Sequence, residues 1–240
     1  MQVNNFNKFP KIELHLHLDC SLSFDVVNKI DSNIDFEEYI SSFQAGSSCS
    51  SLKDYISCAD RAIELMQTKE NLELIVEDLF TQLLNDNVIY AEIRFAPLLH
   101  CEKGLDAKKV VEIICNAAST QSKKHNIDYG LILCTLRHYS EDESIQTVKL
   151  VKQFIEKGVV GFDIAADEAG YPIDNHVEAF NYAKKNNLNI TAHAGEAKGP
   201  ESIWETINDL HAKRIGHGVR CMQDKKLVSL LADNNYHLEI

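Results

Sequence analysis

The sequence predicts an α/β fold, a TIM-type (β/α)8 barrel that is incomplete in this chain, with about seven strands present. Three observations predict it. From about residue 88 onward, short apolar and β-branched runs alternate with helix-length segments, the rhythm of βα units around a parallel sheet. Ionisable residues gather where several of those runs end, and a parallel barrel carries its chemistry at the C-terminal ends of its strands. A chain of 240 residues, 45% hydrophobic and 25% charged, has the composition of an ordinary globular protein with one sizeable core.

The first strand fits 12–18 (IELHLHL), where alternation puts Ile12, Leu14, Leu16 and Leu18 on one face and Glu13, His15 and His17 on the other. About 70 residues follow before the next strand, with helical patterns near 24–30 and 71–87 and a looser stretch at 46–51 (GSSCSS). This insertion is expected to cover one end of the barrel. Further strands read at 88–96, 128–136, 159–166, 189–194, 214–217 and 236–240, with a helix-length segment in each gap. The Gly and Ser cluster is too short for an interdomain linker, and no internal repeat interrupts the βα rhythm, so a single barrel domain over 1–240 is expected. A closed barrel has eight strands. The last strand and helix are therefore expected to be missing, and the two open edges invite self-association or capture of a complementing C-terminal segment.

Composition excludes several classes of partner. Lys and Arg number 24 against 36 Asp and Glu, a formal net charge of -12, which disfavours nucleic acid and anionic lipid. No apolar run reaches the roughly 18 residues of a membrane helix, and the start has no signal-peptide core, so the expected compartment is the cytoplasm. Seven cysteines, at 20, 49, 58, 101, 115, 134 and 221, include no Cys-x-x-Cys pair. They read as reduced, small buried hydrophobes instead of a disulfide framework or a thiolate metal site.

His15 and His17 share a strand face at i and i+2 and can reach one metal, although His-x-His alone equally describes a hydrogen-bonded pair. His193, in 191–196 (TAHAGE), ends the fifth strand and adds a third imidazole. Glu196 follows it, either a carboxylate placed to move protons or a charge at a helix N-terminus. His217 lies between Gly216 and Gly218, which leave it accessible, with a turn histidine as the alternative. The run 163–168 (DIAADE) brings acids to the same rim, where Asp167 and Glu168 also read as helix-leading acids. His100, His125, His138, His176, His211 and His237 fall on segments read as away from the rim and receive no chemistry. Imidazole-rich ligation without thiolates favours zinc or another borderline divalent ion over calcium or magnesium. Such an ion lowers the pKa of a bound water to roughly 7.

At these residues the chain resembles the adenosine deaminase family of metal-dependent hydrolases, from Pro10 to the last residue. The stretch 10–19 (PKIELHLHLD) is similar to the family's opening metal motif, 90–97 (YAEIRFAP) to its second strand and 161–168 (GFDIAADE) to its fourth. The stretches 191–196 (TAHAGE) and 214–219 (RIGHGV) resemble its strongest signatures. The resemblance implies a βα barrel that converts adenosine, and usually deoxyadenosine, to inosine or deoxyinosine with release of ammonia, in purine salvage. It implies one Zn2+ held by His15, His17 and His193. Glu196 matches the acid that protonates the purine ring nitrogen while water attacks the adjacent amine-bearing carbon. His217 matches the histidine that orients and helps to deprotonate that water, and Asp19 the acid that contacts the ribose hydroxyl. Relatives specific for adenine tend to carry Glu at the position of Asp19, so the resemblance favours a nucleoside over adenine or another 6-aminopurine.

Three departures accompany the resemblance. Cys20 and Ala166 stand where the family has Gly, and the backbone N–H of residue 166 is expected to approach the purine. The family's eighth strand carries an Asp-Asp pair, one acid completing the metal site and one binding water and substrate, and no such segment precedes Ile240. This chain alone is therefore expected to show little or no deaminase activity, as a fragment, a split-gene product or a remnant. A non-catalytic barrel that binds nucleoside or a partner chain is the alternative.

Overall fold

Strands that are apolar on both faces must be covered on both, which in a parallel sheet requires a helix between each strand and the next. The computed structural model describes residues 8–46 and 49–240 and follows that rule. Its strands are β1 (Lys11–His17), β2 (Val88–Phe95), β3 (Asp128–Leu136), β4 (Val159–Ala165), β5 (Thr191–Ala194), β6 (Arg214–His217) and β7 (His237–Glu239). All neighbours are parallel, in the order β1-β2-β3-β4 and β5-β6-β7, with a bridge from Phe162 to Ile190 joining the two groups. The barrel is not closed: among the described residues β1 and β7 each pair on one side only.

The long first connection folds into α1 (Phe24–Ile30), α2 (Phe36–Phe43), α3 (Leu52–Ile56), α4 (Asp60–Leu65) and α5 (Lys69–Asn85). Four of these helices start on side chains that accept an otherwise orphaned amide: Ser23, Asp35, Ser51 and Thr68. The later crossovers are α6 (Ala107–His125), α7 (Glu141–Phe154), α8 (Val177–Lys185), α9 (Pro200–Asp209) and α10 (Lys225–Asp233). A reciprocal capping box between Ser140 and Glu143 opens α7. The apolar helix faces pack on the sheet, as where Phe162 of β4 meets Phe180 of α8 with ring centroids 4.6 Å apart. No helix among the described residues is long and apolar enough to cross a membrane.

Several expectations need correction. Alternation in β1 is broken, because its partners step from Ala91 to Ile93 while β1 steps from Glu13 to Leu16. One extra residue is inserted there, a β-bulge that re-aims side chains. Glu13 consequently lines an outer groove with Leu16, Tyr39 and Leu83 and does not share the face of the two histidines. Ile12 remains 63% exposed. Leu18 leaves the strand for a 3-10 turn, Leu18–Cys20, and residues 189 and 190 precede β5. His100 and His138 are not remote from the rim, since they follow the C-terminal ends of β2 and β3. Among the cysteines only Cys115, Cys134 and Cys221 are buried, while Cys20 and Cys49 are exposed. Ser47 and Ser48 of the loose stretch lie outside the described residues.

Candidate active site

Three strand ends deliver four imidazoles to one place. His15 and His17 come from β1, His193 from β5 and His217 from β6, with ring centroids 4.6 to 5.3 Å apart for the five closest pairs. The His15–His17 pair is spaced by the pleat, and β6 places His217 beside Ala194 in the β5 register. Gly216 lets the rings close on the sheet, because a Cβ there would stand 2.9 Å from His15 Cε1 and 3.2 Å from His193 Cγ. His217 itself has φ +66°, a left-handed conformation that is strained for a non-glycine residue.

Two of the four rings are oriented from behind by carboxylates. His15 Nδ1 donates to Glu239 Oε2 at 3.1 Å, and His193 Nδ1 donates to Asp163 Oδ2 at 3.1 Å. Carboxylates accept only, so these bonds place the proton on Nδ1 and leave Nε2 as a lone-pair donor. His15 Nε2 is buried without a hydrogen-bond partner, and His193 Nε2 faces His17 Nε2 at 3.1 Å. Two nitrogens held by one tetrahedral zinc at 2.0–2.1 Å would stand roughly 3.3 Å apart. An orphaned Nε2, a close Nε2 pair and carboxylates behind the rings all fit a bound metal ion. Ligand atoms of His15, His193 and His217 lie within 4.8 Å of one another, and His17 joins through His193.

Electrostatics disfavours the charged form of His15, His17 and His217, and ligation requires the neutral form. Burial, and then the neighbouring cationic groups, lower His17 well below the ordinary histidine value and His217 to about 3; burial also lowers His15. Burial would raise Asp163, but His193 and Arg94 hold it far below the usual carboxylate range. Glu239 is likewise pushed up by burial and pulled down to about 2 by His15, Arg94 and Arg214. Arg94, fully buried, donates to Asp163 at 2.8 Å and to Glu239 at 2.5 Å, so one guanidinium fixes both carboxylates behind the histidines.

The other expected residues surround this centre. Glu196 Oε1 stands 3.6 Å from His217 Nε2, and burial raises its carboxyl toward the protonated form. Asp19 sits in the turn after β1, 4.0 Å from His17 Nδ1, and burial pushes it up to about 6. Exposed Cys20 has its Sγ 3.8 Å from Asp19 Oδ1. Ala166 directly follows β4 with φ +78°, a conformation suited to Gly. Glu168 does not lead a helix; it is buried and binds the loop after β5. Sequence reasoning gave no role to Glu239 and Arg94, and brought Asp163 to the rim without assigning it to His193. The available signal was a charged residue inside an apolar strand, which must find a partner when buried.

The adenosine deaminase family profile matches residues 10–240. An adenosine deaminase of Clostridium acetobutylicum is 38% identical over 238 residues, covering 96% of this chain and 71% of the relative. The chain belongs to the adenosine deaminase family. Membership makes it an aminohydrolase by descent, and the relatives are longer than this chain. Solved structures share the fold of the family: adenine deaminase from Arthrobacter aurescens has a TM-score of 0.83 at 24% identity, covering 95% of this chain and 71% of that one. An amidohydrolase from Burkholderia ambifaria, solved with bound Zn, has a TM-score of 0.85 at 22% identity, covering 97% and 65%.

Proposed function

We propose that this centre carries zinc-dependent hydrolytic deamination of adenosine and deoxyadenosine. The observation that carries the reading is the convergence of four imidazoles with a carboxyl raised by burial, Glu196, 3.6 Å from His217. His15, His17 and His193 would hold the metal, with Nε2 of each ring facing the site. When bound, zinc supplies Lewis acidity that makes water nucleophilic near neutral pH. His217 accepts a proton from the attacking water at Nε2, which its low basicity leaves free. Glu196, whose carboxyl burial raises, delivers a proton to the purine ring nitrogen. A carbon–oxygen bond then forms, the proton taken up by His217 passes to the amine, the carbon–nitrogen bond breaks and ammonia leaves, while the new hydroxyl proton returns to Glu196 as the carbonyl forms. Asp19 binds the ribose hydroxyl, and the Ala166 amide approaches the base.

The test is zinc content by mass spectrometry together with ammonia release from adenosine, deoxyadenosine and adenine. The protein should come from a host without its own deaminases. It is assayed alone and with the segment that its relatives carry beyond the match. Expected are near-stoichiometric zinc, little turnover alone, and turnover of nucleosides over adenine once the segment is added. Preference for adenine would instead place the chain with base deaminases, and nucleoside binding without turnover in either condition would make it a binding barrel.

The mutual approach of His15, His193 and His217 favours a second reading in which His217 is itself a ligand. His217→Gln separates the two. Retained zinc with lost turnover supports a proton-accepting His217, and lost zinc supports a ligand.

A further inference from the structure

We propose that Glu168 is a positioning residue for Glu196, acting by gathering the backbone that carries it. The inference rests on the deaminase reading above and extends it to a side chain that touches neither metal nor substrate. Glu168 is 1% exposed, and every hydrogen bond of its carboxylate goes to the β5–α9 loop or to the first turn of α9. Its Oε1 accepts from Gly195 N at 2.6 Å and from Ser202 Oγ at 2.5 Å. Its Oε2 accepts from the amides of Glu196 at 3.0 Å, Ala197 at 2.6 Å and Lys198 at 2.9 Å.

Four successive amides can point at one anion only where the chain curls into a concave nest. Gly195 supplies the bend with φ +66°, and its missing Cβ leaves room for Ile203, whose Cδ1 would lie 2.5 Å from a Cβ there. Without the carboxylate, four N–H groups would be left to find other acceptors in a partly buried loop, a state that favours a different loop conformation. The strand end just before the loop is fixed separately, since Arg137 donates to the His193 carbonyl at 2.9 Å. Histidine and acid are therefore anchored by different groups. Loss of Glu168 should release residues 195–198 while His193 stays in place.

Glu168→Gln is the probing variant, because the amide preserves shape but turns an N–H donor group toward N–H donors. Two readouts are taken: hydrogen exchange of the 195–198 amides, and kcat, KM and zinc content of the protein with any activating segment present. Expected are exchange at these amides faster by about tenfold or more, with β1 and β6 unchanged. A kcat lower by about 10- to 100-fold is also expected, with KM within about twofold and zinc retained. Ser140→Ala, which weakens a remote cap on α7, should leave kcat unchanged and so separates positioning from general stability. Glu168→Asp, which keeps the charge, should recover part of the kcat loss and serves in place of Glu168→Gln if that variant does not fold. Unchanged exchange at 195–198, or a kcat equal to wild type, overturns the proposal. An inert wild-type protein would sink the deaminase reading instead, and the exchange result then decides the loop anchor by itself.

Discussion

Replacing Arg94 with Met tests whether the charges behind the histidines act as one unit. The guanidinium holds Asp163 at 2.8 Å, Glu239 at 2.5 Å and the Leu14 carbonyl at 2.8 Å, with both carboxylates fully buried. Glu239 would keep Arg214, whose Nε is 2.7 Å away, so the loss falls mainly on Asp163. Asp163 would retain only His193 and the weak Cys134 thiol donor at 3.5 Å. Removing one partner of a buried pair typically costs about 3–5 kcal/mol, because the other charge is left uncompensated. For a chain of this size each kcal/mol moves the melting temperature by about 2–4 °C, so Arg94→Met should lower it by about 6–20 °C. Urea unfolding of metal-free protein, followed by circular dichroism, measures the change at constant m-value. Adding Asp163→Asn removes the stranded charge and should recover about 1–3 kcal/mol. A cost below about 1 kcal/mol, or strict additivity of the two substitutions, would refute the coupled-network account.

Other substitutions have equally specific outcomes. Gly216→Ala places a methyl 2.9 Å from His15 Cε1, so zinc content should fall several-fold while the fold survives; full zinc occupancy would mean that the rings yield freely. Ala166→Gly relieves a left-handed alanine and should stabilise the protein by about 1 kcal/mol in urea titration. Glu168 also sets a pH dependence. Burial raises its carboxyl, but Ser202 and the backbone amides outweigh burial and leave it below its unfolded value of about 4.3. A lowered folded pKa means that the stabilisation is complete above the unfolded value and is lost as pH falls through the folded one. The stability gap between wild type and Glu168→Gln should therefore narrow on acidification, and a gap that widens would reverse the assignment.

The strands were legible because burial on both faces writes itself as apolar runs, and 128–136 and 214–217 match β3 and β6 to the residue. The site histidines were legible because their neighbours are apolar or glycine. The bulge in β1 was not, since it is a property of register against β2 and leaves no mark on the strand's own alternation. Nor were the groups that orient the rings. Arg94 meets partners 69 and 145 positions away in the chain, separations over which spacing carries no information. Of the two readings open for Glu168, the helix-leading acid fails, because its carboxylate reaches across to the loop after β5.

The bond from His15 to Glu239 spans 224 positions, which joins the first strand to the last. At about 5–20 residues per second, a ribosome finishes His15 about 10–45 seconds before it adds Glu239. During that interval the His15 imidazole exists without the carboxylate that fixes its proton, and for most of it the ring from β6 is still to be made. Until β7 is made, the nascent chain thus holds its imidazoles without the carboxylate that orients His15, and the chelating pocket acquires its final geometry only when the first and seventh strands meet.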